Sequence, residues 1–169
     1  MADPKTLNDL FVHKLRRIYD AEQRLVKALP KMSKASNAPE LKQAFDAHLR
    51  QTETHVDRVE QLFGLFNQKV DGDSNDSIKG IINAGDDTIG LDAEPPAVKD
   101  AALIAAAQAA EHYEIAEYGT LRAWAKVLGR NEALELIDWT LEEEKKADQT
   151  LTAVAAQLNF QAASAPRAR

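Results

Sequence analysis

The chain contains no cysteine. That excludes a disulfide framework, a thiolate metal site, an iron–sulfur cluster and a cysteine nucleophile. Aromatic residues make up only 6% of it, so a core would have to be built from closely packed aliphatic helices. No run approaches the roughly 20 apolar residues that a membrane span requires, and no membrane partner is expected. Met1 to Lys5 show no basic start leading into an apolar stretch, so no secretory signal is expected and the cytoplasm is the expected location. A phosphate-cradling glycine loop and a G-x-S-x-G elbow are both missing. The Asp71–Asp76 segment has acidic residues but not the glycine and distal glutamate of a calcium loop, and reads as a solvated turn.

What is present is an ordinary globular balance in 169 residues, with 44% hydrophobic and 28% charged side chains. The length suits one domain with a real core, or two very small ones. Acidic residues outnumber basic ones by 27 to 21, a net charge of −6, which argues against a phosphate backbone as partner. Only Arg167 and Arg169 hint at a basic arm, so DNA protection by a shell of such molecules has little support.

Glycine and proline punctuate the chain. A first helix is expected from near Pro4 to about Ser36, its last turn loosened by Pro30. Asn37-Ala38-Pro39-Glu40 reads as a helix start with an asparagine cap, and the second helix runs to about Phe66. Polar residues 67–77 mark a loop. A short helix covers about Ile78 to Leu91, and Asp92–Pro96 is a break. A third long helix runs from about Ala97 to Leu128, ended by Gly129, and a fourth from near Asn131 to near Asn159. The bundle is thus expected over 1–158, with a disordered tail over 159–169. Each helix pair has a short turn, and about 30 residues connect the pairs. The fold expected is all-α: a ferritin-like four-helix bundle with one long crossover connection carrying a short fifth helix.

Each long helix carries an apolar row at spacings of three and four, and each row is interrupted near its middle by polar groups. The interruptions are Glu22 in the first, His48, Thr52 and His55 in the second, Glu111 and Glu114 in the third, and Glu144 and Asp148 in the fourth. Counted from the two short turns, at about 1.5 Å of rise per residue, they fall at matching heights. Five carboxylates and two imidazoles therefore share one apolar layer. An unpaired buried carboxylate costs several kcal/mol, and no Lys or Arg lies on any row. One or two multivalent cations would neutralise the layer. Carboxylate oxygen with imidazole nitrogen suits iron or manganese, and less specifically zinc. Glu and His converging from four helices is the arrangement of di-iron and di-manganese carboxylate proteins. The usual Glu-x-x-His pairs are replaced here by Thr52-x-x-His55, Glu111-x-x-Glu114 and Glu144 with Asp148.

At these residues the sequence resembles the YciE/YciF family of ferritin-like bacterial proteins. The resemblance lies in Tyr19–Glu22, Ala47–Leu49 with Thr52, the alanine-rich Ala101–Gln108, Glu111-His112-Tyr113-Glu114-Ile115-Ala116, and Thr140–Lys145 with Asp148. It covers about residues 5–158. It implies a rubrerythrin-type bundle, a dinuclear iron or manganese centre, a homodimer and a role in stress. Gln51 stands where the family often has Glu, and His55 where it often has Gln, so the ligand set of the second helix stays open.

The candidate metal ligands are Glu22, His48, His55, Glu111, Glu114, Glu144 and Asp148. Asp148 has an alternative role as an acceptor that orients a histidine. Glu142 and Glu143 read as solvated, His13 and His112 as surface, Tyr118 as an inward tyrosine with a satisfied hydroxyl, and Trp124 and Trp139 as packing or dimer contacts. The functional expectation is reduction of oxygen or peroxide in stress. The alternative is a helical structural or interaction protein of the same fold without redox turnover.

Overall fold

The computed structural model of the chain describes residues 3–164. Its regular structure is five helices: α1 (Leu7–Ala35), α2 (Pro39–Leu65), α3 (Asp76–Ile89), α4 (Pro96–Val127) and α5 (Asn131–Ala163). Both α1 and α5 pack against α2 and α4, so the four long helices form a square with α1 and α5 on a diagonal. None of the described helices is long and apolar enough to cross a membrane.

Two apolar clusters fix the helix directions. Phe11, Leu15, Leu62, Phe63, Leu121 and Ile137 belong to one end of the bundle. Leu29, Met32, Leu41, Phe45, Leu103 and Leu151 belong to the other. Thus α1 and α5 run one way, while α2 and α4 run the other. The parallel pair α2 and α4 is joined by the long connection, as the one-crossover topology requires. That connection carries α3, whose Ile78 packs with Ala21 and Leu25 of α1 and Ala110 of α4.

The helix ends show how local signals and tertiary contacts divide the work. Thr6 caps α1: its hydroxyl accepts from the Asp9 N–H at 3.1 Å, and the Asp9 carboxylate accepts from the Thr6 N–H at 3.0 Å. The helix continues through Pro30 to Ala35. At the start of α2 the structure departs from the sequence expectation, because Ala38 occupies the cap position and no local side chain caps it. Buried Asp100 of α4 instead holds the residues that lead into the helix. Its carboxylate accepts from the Asn37 N–H at 2.8 Å and the Ala38 N–H at 2.9 Å. Gly129 ends the α4 turn with φ +66°, a left-handed conformation that suits glycine.

The Asp71–Asp76 segment is less solvated than expected. Asn75 is fully buried. Its side chain caps α3 through the Ile78 N–H and donates to the Arg17 carbonyl and the Tyr113 hydroxyl. At the other terminus α5 runs to Ala163, beyond Asn159. Residues 165–169, which hold Arg167 and Arg169 and the end of the expected tail, lie outside the described residues, as do residues 1–2.

Candidate metal centre

Between the two apolar clusters lies a layer built from one or two side chains per helix. Glu22 comes from α1, His48 and His55 from α2, Glu111 and Glu114 from α4, and Glu144 from α5. None of the six is more than 6% exposed. His48 and His55 are seven residues apart, two helical turns, so they share a face. Their ring centroids lean to within 6.3 Å.

The donors sort into two groups. His48, Glu111, Glu114 and Glu144 each present one ligand atom within 4.8 Å of the others, and Glu22, His55 and Glu144 do the same. Glu144 belongs to both. His48 Nε2 stands 3.1 Å from Glu111 and 3.6 Å from Glu144. His55 Nδ1 stands 2.9 Å from Glu144 and 3.7 Å from Glu22, yet it is out of line for a hydrogen bond. Glu22 Oε1, on the ring's edge, accepts from the hydroxyl of fully buried Tyr118. Among the described residues, the ion pairs of these carboxylates are all with the two histidines.

Six buried polar atoms of this layer make no hydrogen bond: Glu22 Oε2, His55 Nδ1, Glu111 Oε2, Glu114 Oε1 and both oxygens of Glu144. Buried carboxylate oxygens left without donors are costly. Their convergence from three helices, with imidazole nitrogens among them, is the donor set a hard or borderline divalent cation takes. The residues therefore fit such ions.

The titration behaviour of the layer follows from its crowding. Burial pushes Glu114 well above the ordinary carboxyl range, and Glu144, Glu22 and Glu111 push it further. Burial also raises Glu144, against the pull of His55 and His48, to about 7. For His48, burial acts to lower the value, but Glu111 and Glu144 prevail and hold it at about 9. For His55, burial is again outweighed, by Glu22 and Glu144, and the value is about 11.

Two residues depart from their expected places. Asp148 does not join the layer. Its Oδ1 accepts from Gln108 at 2.9 Å and faces exposed His112 at 3.3 Å. One helical repeat beyond Glu144 falls between Ala147 and Asp148, and the α4 side chains draw Asp148 outward. Glu143, read as solvated, is instead half-buried and accepts from His55 Nε2 at 2.8 Å. Arg58 clamps the same carboxylate at 2.6 and 3.1 Å, and these bonds hold Glu143 below the ordinary carboxyl value despite its burial. In a neutral imidazole this contact would keep the proton on Nε2 and turn an unprotonated Nδ1 toward the ring. The available signal was Arg58, three residues from His55 on α2 and level with Glu143.

On the far side, His48 Nδ1 lies 3.4 Å from Gln51 Oε1, and the Thr52 hydroxyl is occupied by the His48 carbonyl at 3.0 Å. Thr52 is thus packed and bonded to backbone. Trp139 is half-exposed beside Arg58.

Comparison with known proteins places this geometry in a lineage. The family described as Domain of unknown function (DUF892) matches residues 6–164. Protein YciF of Escherichia coli K12 is 43% identical over 159 residues, covering 89% of this chain and 91% of that protein. Among solved structures, the E. coli stress protein YciF superposes with a TM-score of 0.89 at 41% identity, covering 94% of this chain and 99% of that one. YcfI of Rhodopseudomonas palustris, named as a candidate structural protein, gives 0.85 at 43% identity, covering 89% and 95%.

Proposed function

The chain belongs to the YciE/YciF family, DUF892, and on that premise we propose that its buried ring is a dinuclear iron or manganese centre serving a stress response. The observation that carries this reading is the double membership of Glu144. One carboxylate with two unbonded oxygens stands in both donor groups, so it would be the residue shared between the ions if both groups held one. The charges agree. Four ring carboxylates balance two divalent cations when both imidazoles are neutral ligands. The stress role is carried over from YciF, which is named a stress protein.

Iron or manganese held there would supply redox chemistry toward oxygen or peroxide. The chain's own residues do the rest. Glu143 and Arg58 hold His55 with Nδ1 inward. Tyr118 anchors Glu22 by donating to one oxygen, leaving the other free to point into the layer. The apolar clusters above and below keep bulk water away, which strengthens every charge interaction inside. Glu22, His48, His55, Glu111, Glu114 and Glu144 are the proposed ligands, and Asp148 is assigned outside the set.

A second reading has its own observation. With His48 held at about 9 and His55 at about 11, the metal-free ring contains two cations at neutral pH and stabilises itself in part. That ring suits a structural protein without turnover, the role named for YcfI. Metal analysis of protein purified without chelator separates the two. Near-stoichiometric iron or manganese, lost in Glu114→Ala and Glu144→Ala, is the expected result. Metal-free protein that resists reloading while remaining folded selects the structural role.

A further inference from the structure

The ring is buried, so an ion needs a way in, and the bundle wall is not uniform. Between α2 and α5 lies a cleft of about 160 Å3, walled by Ala44, Ala47 and Ala147 where larger side chains would close it. Its floor is His48 and Glu111, and its rim carries Gln51, Lys146 and Thr150. Glu111 is 2% exposed, and its Oε2 has no hydrogen-bond partner. A buried carboxylate with one unpartnered oxygen thus lines an opening from solvent.

A second crevice also touches Glu111, from beneath α3. It holds only about 20 Å3, between Ala28, Leu29, Met32, Ile82, Ala106 and Ala110. A cavity needs roughly 10–15 Å3 for one water, so this crevice passes no ion with part of its hydration shell. Apart from Glu111 its one polar side chain is Asp86, which is paired with Lys31 at 3.4 Å, and the rest of its lining is apolar. The α2–α5 cleft has room for several waters, and amide and hydroxyl groups at its rim.

We propose that the cleft between α2 and α5 is the port through which divalent cations reach the ring, with Glu111 the first ring carboxylate they meet and Lys146 a brake at the mouth. This rests on reading the ring as a metal centre. The amide oxygen of Gln51 and the hydroxyl of Thr150 replace departing waters as the ion descends. His48 and Glu111 then hand it to Glu144, which stands 3.6 Å from His48 Nε2. The Lys146 ammonium, on its exposed stem, repels an approaching cation and sets the entry rate, without touching the final donors.

The test follows uptake of Mn2+ by the full chain stripped of metal, read as loss of the free-ion electron paramagnetic resonance signal. Ala47→Phe places a ring over the cleft from an exposed position. It is expected to slow uptake by about tenfold, a barrier increase of about 1.4 kcal/mol, with the final occupancy unchanged. Lys146→Gln is expected to speed it severalfold. Gly85→Ala narrows the α3 crevice, where the added Cβ would meet Ala106 at an ordinary 3.8 Å, and is expected to leave the rate unaltered. Unchanged rates in both cleft variants overturn the port, as does slowing by Gly85→Ala alone. Wild-type protein that takes up no Mn2+ at equilibrium overturns the metal reading itself, and the port with it.

Discussion

Within the ring the side chains are not equivalent, because Glu144 alone reaches both donor groups. Replacing a shared carboxylate weakens both positions, while replacing a terminal one weakens a single position. Glu144→Gln is therefore expected to lose both ions, and Glu22→Gln to keep close to one per chain, measured by elemental analysis after equilibrium loading. Equal losses in the two variants would remove the case for a bridge. Glu143 gives a further contrast. It sits outside both groups, yet it fixes His55 through Nε2. Glu143→Gln is expected to weaken metal affinity about tenfold while preserving stoichiometry, the scale on which groups behind a ligand act. At this scale the sequence was informative wherever a row position is unambiguous. Glu22, His55, Glu111, Glu114 and Glu144 sit on the apolar seam, and all are buried. It was ambiguous where the helical repeat falls between two residues, as at Ala147 and Asp148. It pointed to Glu143 only indirectly, through Arg58 of another helix at the same height.

The helices themselves were legible because spacing at three and four residues and matching interruption heights survive into the structure. Their ends were legible only where the cap is local. Thr6 with Asp9 is local, and so is Gly129. The α2 start is not, since the N–H groups of Asn37 and Ala38 that lead into it are met by Asp100, 63 and 62 residues away along the chain. This contact ties the α1–α2 turn to the N-terminal end of α4, and thereby sets the height of α2 against α4. Asp100→Ala is expected to cost about 1–2 kcal/mol, the scale of a lost helix cap. For a chain of this size that is a fall of roughly 2–8 °C in Tm. Thermal unfolding by circular dichroism checks it, with Asp100→Asn, which retains one acceptor, expected to fall less. Docking of α3 has a similar logic. Asn75 bonds α1, α3 and α4 at once, which no reading of a polar loop could have shown. Asn75→Ala is expected to raise amide exchange in α3 selectively, leaving the four long helices protected.

Over the whole molecule, the ring couples stability to pH in a direction that depends on whether metal is present. In metal-free protein, His48 and His55 have folded values of about 9 and 11 against an ordinary 6.5. Their contribution to stability is complete below about pH 6.5 and is lost as pH rises through the folded values. Glu144, at about 7 against 4.5, and Glu114, also raised, act the same way. The folded state holds more protons than the unfolded one, so stability falls as pH increases. Glu143 acts oppositely, being lowered, but its contribution is lost only under acid conditions, near and below its ordinary value of 4.5. The stripped protein should therefore show its highest Tm near pH 5–6 and a steady decline toward pH 9. Metal reverses the sign, because ligands must shed protons to bind and the ion competes better as protons become scarce. With saturating Mn2+, the gain in Tm over stripped protein should grow between pH 6 and 8, measured by differential scanning calorimetry at both ends of that range. Glu114→Gln supplies the internal check. It removes a buried group that must charge as pH rises, so its stripped form should decline less steeply than wild type. A stripped wild-type protein that gains stability with rising pH would show that the buried carboxylates and imidazoles do not govern it.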